Sequence, residues 1–117
     1  MKERKQFGSR LADFQALQFR IADYATDIEA ARLLLHRAAV AVSEGEPAAT
    51  RLAAQAKRLA TDTGFTVVNG CLQLYGGYGY LRDHPIERVL RDVRVHQILE
   101  GTNEIMRLIV SRAMLGN

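Results

Sequence analysis

No stretch of this sequence approaches the ~20 consecutive apolar residues that a bilayer-spanning helix needs, so membrane insertion is not expected. The single cysteine, Cys71, excludes an internal disulfide and makes a reducing compartment such as the cytoplasm the default. The opening Met1-Lys2-Glu3-Arg4-Lys5 is charged and has no apolar segment behind it, so a secretory signal is not expected. Runs of like charge are also missing. The 16 basic residues outnumber the 13 acidic ones, but they are scattered among them, which argues against a nucleic-acid stripe. Thirteen of the basic residues are Arg, the better side chain for bidentate contact, so small anions such as a nucleotide pyrophosphate stay open as partners. His36, His84 and His96 form no metal constellation, and the Glu-x-x-His pairs of di-iron bundles are absent. No strand alternation, repeat or low-complexity tract is visible.

What remains is helical periodicity. Leu11, Phe14, Leu17, Ile21, Tyr24, Ile28, Ala31, Leu35 and Ala38 step by three and four, which predicts an amphipathic helix over about Leu11 to Val42. Gly45 stops it and Pro47 opens the next element. A second helix is expected from about Ala48 to Tyr75, with Leu52, Ala56, Leu59, Thr63, Val67, Cys71 and Leu74 inward. Its many alanines allow a neighbour to approach closely, and Gly76, Gly77 and Gly79 end it. Gly64 and Gly70 lie inside it, each costing roughly 1 kcal/mol against Ala. A short third helix is expected to be capped by Asp83, to carry Pro85 in its first turn and to end near Val93. Ile98 to Gly101 reads as a loop, and Thr102 as the N-cap of a last helix, Asn103 to Leu115, with Glu104 in its first turn. The fold class is all-α, a bundle, in one domain.

Four motifs then stand in order: Glu3-Arg4-Lys5-Gln6-Phe7-Gly8, Gln73-Leu74-Tyr75-Gly76-Gly77-Tyr78-Gly79-Tyr80, Pro85-Ile86-Glu87-Arg88-Val89-Leu90-Arg91-Asp92, and Ile98-Leu99-Glu100-Gly101-Thr102-Asn103-Glu104-Ile105. Their order and spacing resemble the C-terminal domain of acyl-CoA dehydrogenases over essentially the whole chain. The resemblance implies a four-helix-bundle-type, up-down domain spanning residues 1–117. The family's N-terminal helical and middle β-domains are not in this sequence, so little activity is expected of the chain alone.

The reaction so implied is α,β-dehydrogenation of an acyl-CoA thioester. Glu100 would be the base that takes the α-proton while the β-hydrogen leaves as hydride to flavin N5. A carboxylate gains proton affinity in a dry pocket, which suits it to this work. Without the resemblance, Glu100 reads as a solvated loop acid ahead of a helix cap. Gly101 would leave room for substrate. The backbone N–H of Glu100 and the flavin ribityl hydroxyl would polarise the thioester carbonyl.

The cofactor implied is FAD. Arg4 would lie on the pyrophosphate of a neighbouring subunit's FAD, with Gln6 and Phe7 nearby, and Gln15 would add a contact. Gln73, Gly76 and Gly77 would also face the neighbour's FAD, while Thr102 and Glu104 would flank the subunit's own. The glycines equally serve to end a helix, and no strand precedes them, so they are not a Rossmann fingerprint. Arg88, Arg91, Asp92 and Arg94 read as structural ion pairs, and Cys71 as packing.

The segment Leu81 to Glu104 most resembles short-chain and branched-chain members, including isobutyryl-CoA-like enzymes. The resemblance also implies a homo-oligomer (a dimer or dimer of dimers), electron-transfer flavoprotein as acceptor, and a cytoplasmic or, in a eukaryote, mitochondrial-matrix location. Two rival readings are a non-catalytic helical association module and an acyl-CoA oxidase.

Overall fold

The computed structural model describes residues 1–116. The chain opens in a small hairpin: β1 (Lys5–Gln6) and β2 (Ser9–Arg10) are antiparallel, with Lys5 opposite Arg10 and Gln6 opposite Ser9. Phe7 and Gly8 form its turn, at φ of 51° and 79°. Two positive values match the twist of a tight hairpin. Two-residue strands leave no alternation in a sequence, so none was expected here. A 3-10 turn over Leu11–Asp13 follows, with an exposed Arg10–Asp13 ion pair at 2.9 Å beside it. Phe14 is extended, so α1 (Gln15–Ser43) starts four residues later than the periodicity predicts. The spacing of Leu11, Phe14 and Leu17 runs in phase through the turn and hides the break.

A tight turn reverses the chain into α2 (Ala49–Tyr75). Arg37 clasps Glu46 across it with two hydrogen bonds, which hold the Glu46 carboxyl below its ordinary range. Ala38, Ala41, Leu52 and Ala56 form a buried cluster beside the turn, flanked by Leu34, Ala48 and Ala49. Small side chains let α1 and α2 approach, and Gly70 extends this: the Tyr24 ring occupies the space where its Cβ would stand. The close fit sets a test of packing. Ala41 is 0% exposed, so Ala41→Leu is expected to overpack the interface and destabilise the fold by about 1–3 kcal/mol, read from the denaturant midpoint.

The last two helices are α3 (Ile86–Val95) and α4 (Asn103–Leu115). Asp83 does not cap α3; the cap position is Pro85, with no side-chain hydrogen bond, and the helix runs two residues past Val93. Thr102 does cap α4, its Oγ1 accepting from the Ile105 N–H at 3.4 Å. The central element is α2, which packs on α1, α3 and α4. Much of α1 is left open. Ile28 and Leu35, predicted to face inward, are 38% and 51% exposed, and Phe19, Leu33, Val40 and Val42 are exposed as well. The ion pairs expected among Arg88, Arg91, Asp92 and Arg94 do not form among the described residues. Such exposed pairs are worth only ~0–1 kcal/mol, so α3 loses little without them. Arg94 instead stands 6.0 Å from the centre of the Phe65 ring. Among the described residues, no helix is long and apolar enough to cross a membrane.

Candidate active site and nucleotide groove

The candidate residues fall into two groups, one at each end of a stretch of α2. The first surrounds the C-terminus of that helix. Gly76 ends it at φ 62° and ψ −143°, a region that side-chain-bearing residues avoid. Arg4 comes back from the N-terminal segment and donates from Nη1 to the Tyr75 carbonyl at 3.2 Å. A cation on the last carbonyls of a helix is favourable in itself. It uses one of five guanidinium donors and leaves the rest exposed. Gly77 continues into a 3-10 turn, Gly76–Tyr80, and is not at positive φ. His84 meets Tyr75 and Tyr78 edge-on, with ring centres 5.8 and 5.7 Å away.

An open groove of about 840 Å³ takes in Arg4, Gln6, Tyr75, Tyr78 and His84, with Gly76 and Gly77 outside its lining. Cys71 lies on its floor, and burial pushes its thiol pKa up. That makes it a poor nucleophile at neutral pH and fits a packing role. Phe7 does not join the groove: it is 94% exposed at the hairpin tip, a bulky side chain at positive φ. Gln15, the first residue of α1, and Gln73 are also exposed and outside the lining.

The second group is the turn between α3 and α4. Glu100 is at φ 56° and Gly101 at φ 90°. For a non-glycine residue the left-handed conformation costs roughly 1–2 kcal/mol. Gly101 has a further reason to lack a side chain, since a Cβ there would stand 2.8 Å from Met106 Cε. The Glu100 side chain is exposed and makes no hydrogen bond or ion pair among the described residues. The dry pocket expected around it is therefore not built by this chain alone. The backbone N–H groups of Glu100, Gly101 and Thr102 likewise find no acceptor among the described residues. They sit just ahead of the positive end of α4.

Behind the turn lies a polar cluster that sequence reasoning missed. Asn103 is 3% exposed, the one buried polar side chain among the described residues. Lys57, Thr61 and Asp62 of α2 surround it, and Gln97, Glu104 and Arg107 border the small cleft beside it. Lys57 Nζ also donates to the Gly101 carbonyl at 2.7 Å. The signal available was weak: Lys57 and Thr61 stand one turn apart on an alanine-rich helix. Among the described residues, no three His, Cys, Asp or Glu side chains gather as a metal site.

Comparison with known proteins decides the family. Residues 1–115 match the family described as acyl-CoA dehydrogenase, C-terminal domain. The chain belongs to the acyl-CoA dehydrogenase family. Mitochondrial isobutyryl-CoA dehydrogenase of Bos taurus is 50% identical over 115 residues, which are 98% of this chain and 28% of that protein. Butyryl-CoA dehydrogenase of Megasphaera elsdenii superposes with a TM-score of 0.92 at 43% identity, over 97% of this chain and 30% of its own. A structure described as the electron transferring flavoprotein of Acidaminococcus fermentans gives a TM-score of 0.93 at 49% identity, over 99% of this chain and 30% of its own. This acyl-CoA dehydrogenase domain thus spans less than a third of the proteins it matches.

Proposed function

We propose that the chain forms part of a flavin-dependent dehydrogenase acting on a short or branched acyl-CoA, with Glu100 as the α-proton base. The observation that carries this reading is the turn itself. A non-glycine residue held in the left-handed region is kept there only when its surroundings over-determine it, and such residues cluster at functional sites. The carboxylate is exposed and, among the described residues, unpaired.

The groove fits a dinucleotide end on its own chemistry. Arg4 offers free guanidinium donors for a pyrophosphate, and Tyr78 and His84 give aromatic surface. Gly76 lies against the Arg4 guanidinium, and it and Gly77 would put bare backbone near a ligand there. Gln6, Phe7, Gln15 and Gln73 are exposed and, among the described residues, their side chains make no hydrogen bond, which suits contacts to a neighbouring subunit's FAD. Thr102 and Glu104, on the other turn, suit the subunit's own. When bound, FAD supplies the two-electron acceptor for the β-hydrogen.

In this chain, Glu100 receives the α-proton, Gly101 leaves the approach open, and the free Glu100 N–H donates to the thioester oxygen as negative charge develops there. The exposed apolar faces of α1 support assembly with further copies. Electron-transfer flavoprotein is the partner class expected to reoxidise the enzyme. The test uses the enzyme assembled with its preceding domains. Anaerobic addition of isobutyryl-CoA or butyryl-CoA should bleach its yellow flavin absorbance. An assembled protein that holds no flavin, or a flavin that no acyl-CoA bleaches, would leave only the helical association role.

A further inference from the structure

Every hydrogen-bonding atom of the Asn103 side chain is used. Its Nδ2 donates to Asp62 Oδ1 at 2.7 Å and to Thr61 Oγ1 at 2.8 Å, while its Oδ1 accepts from Lys57 Nζ at 2.9 Å. A carboxylate only accepts and an ammonium only donates, so the amide has a single orientation. The Thr61 hydroxyl sends its own proton to the Lys57 carbonyl at 2.9 Å, leaving its oxygen to accept. The two charged residues then reach beyond Asn103 to the turn. Lys57 Nζ holds the Gly101 carbonyl at 2.7 Å, and Asp62 Oδ1 accepts from Gln97 Nε2 at 2.8 Å. The Asn103 backbone N–H closes the loop onto the Gln97 carbonyl at 3.0 Å. Glu100 therefore lies between two residues, Gln97 and Gly101, that are both tied to the middle of α2.

Helix stability alone does not call for this cluster. Thr102 already caps α4, and an apolar side chain at 103 against the alanine-rich α2 would stabilise the contact at least as well as a buried polar network. What an apolar residue could not do is hold Lys57 and Asp62 in place, the two side chains that bind the Gly101 carbonyl and the Gln97 amide. We infer that Lys57, Asp62 and Asn103 are positioning residues that hold Glu100 in its left-handed backbone conformation and aim its carboxylate at the substrate α-carbon. The inference rests on Glu100 being the base.

The experiment is made in the assembled enzyme. Asn103→Asp sets a second carboxylate against Asp62 and breaks the hub. The expected result is a roughly 10- to 100-fold fall in kcat, the scale of an ångström-sized misplacement, with KM and flavin content little changed. The α-deuterium isotope effect on kcat should rise as proton removal becomes rate-limiting. The paired exchange Asp62→Asn with Asn103→Asp keeps one amide facing one carboxylate and leaves Lys57 an acceptor; it should restore most of the rate and return the isotope effect. A lower melting temperature with unchanged kcat and isotope effect would overturn the inference. Should Asn103→Asp not fold, Lys57→Met keeps the stem, removes the Gly101 contact and is read in the same way. Glu100→Gln run alongside separates the two claims. If it stays active, the base assignment fails on its own. The backbone at residue 100 in an Asn103→Asp crystal structure then decides the hub: φ still near 56° refutes it, and relaxation to negative φ sustains it.

Discussion

Glu100→Gln in the assembled enzyme is expected to lower kcat by about 10²- to 10⁴-fold, the contribution of a positioned general base, while flavin content and melting temperature stay as they were. The amide matches the carboxylate in shape and has the same φ to adopt, so the turn need not change. It cannot take up the α-proton. Stability should not suffer, because the native carboxylate is exposed and unpaired, and substitutions at such positions usually stay within ~0.5 kcal/mol. Steady-state turnover of isobutyryl-CoA and the flavin spectrum of the same sample check both halves. Near-normal turnover would take the proton-accepting role away from this side chain.

Arg4→Gln is expected to weaken FAD retention by about 10- to 100-fold, the worth of one lost charged hydrogen-bonding partner of ~1.5–3 kcal/mol. The structural loss is smaller. Arg4 is exposed, and the one hydrogen bond of its side chain among the described residues is to the Tyr75 carbonyl, at a helix end that Gly76 already terminates. Arg4→Lys keeps the charge but loses the planar fork, so it should fall between the two. FAD per subunit after dialysis, and the apparent Kd from flavin fluorescence on rebinding, measure the effect. An Arg4→Gln enzyme that holds FAD as tightly as the parent would reduce Arg4 to a cap on α2.

The helices were legible wherever an apolar step of three or four residues ended on a glycine or a cap. The predicted end of α2 at Tyr75 and start of α4 at Asn103 match the structure because Gly76 and Thr102 carry the chemistry of stopping and starting. The start of α1 was not legible, because a 3-10 turn keeps the same apolar phase. Leu35 was misplaced for another reason: periodicity assigns a face to a helix but does not say whether this chain covers it.

At the site, the residue types at Arg4, Gly76 and Glu100 were readable, but their surroundings were not. The positive φ at Phe7 and Glu100 has no sequence signature, since neither residue favours it. Asn103 reads as an ordinary first-turn residue. Its role depends on Lys57 and Asp62, more than 40 positions away, which only the folded chain brings to it.

The uninterrupted course of α2 has a consequence for spacing. Its midpoint carries Lys57 and Asp62, and its end carries the Tyr75 carbonyl that receives Arg4. Between Lys57 and Gly76 the axis advances by about 28 Å at ~1.5 Å per residue. One rod thus acts as a ruler between the Glu100 turn and the groove beside Arg4, and it also fixes their relative azimuth. Adding a single residue along that span would swing one end about 100° around the axis relative to the other. Sequence length there is constrained more tightly than sequence identity.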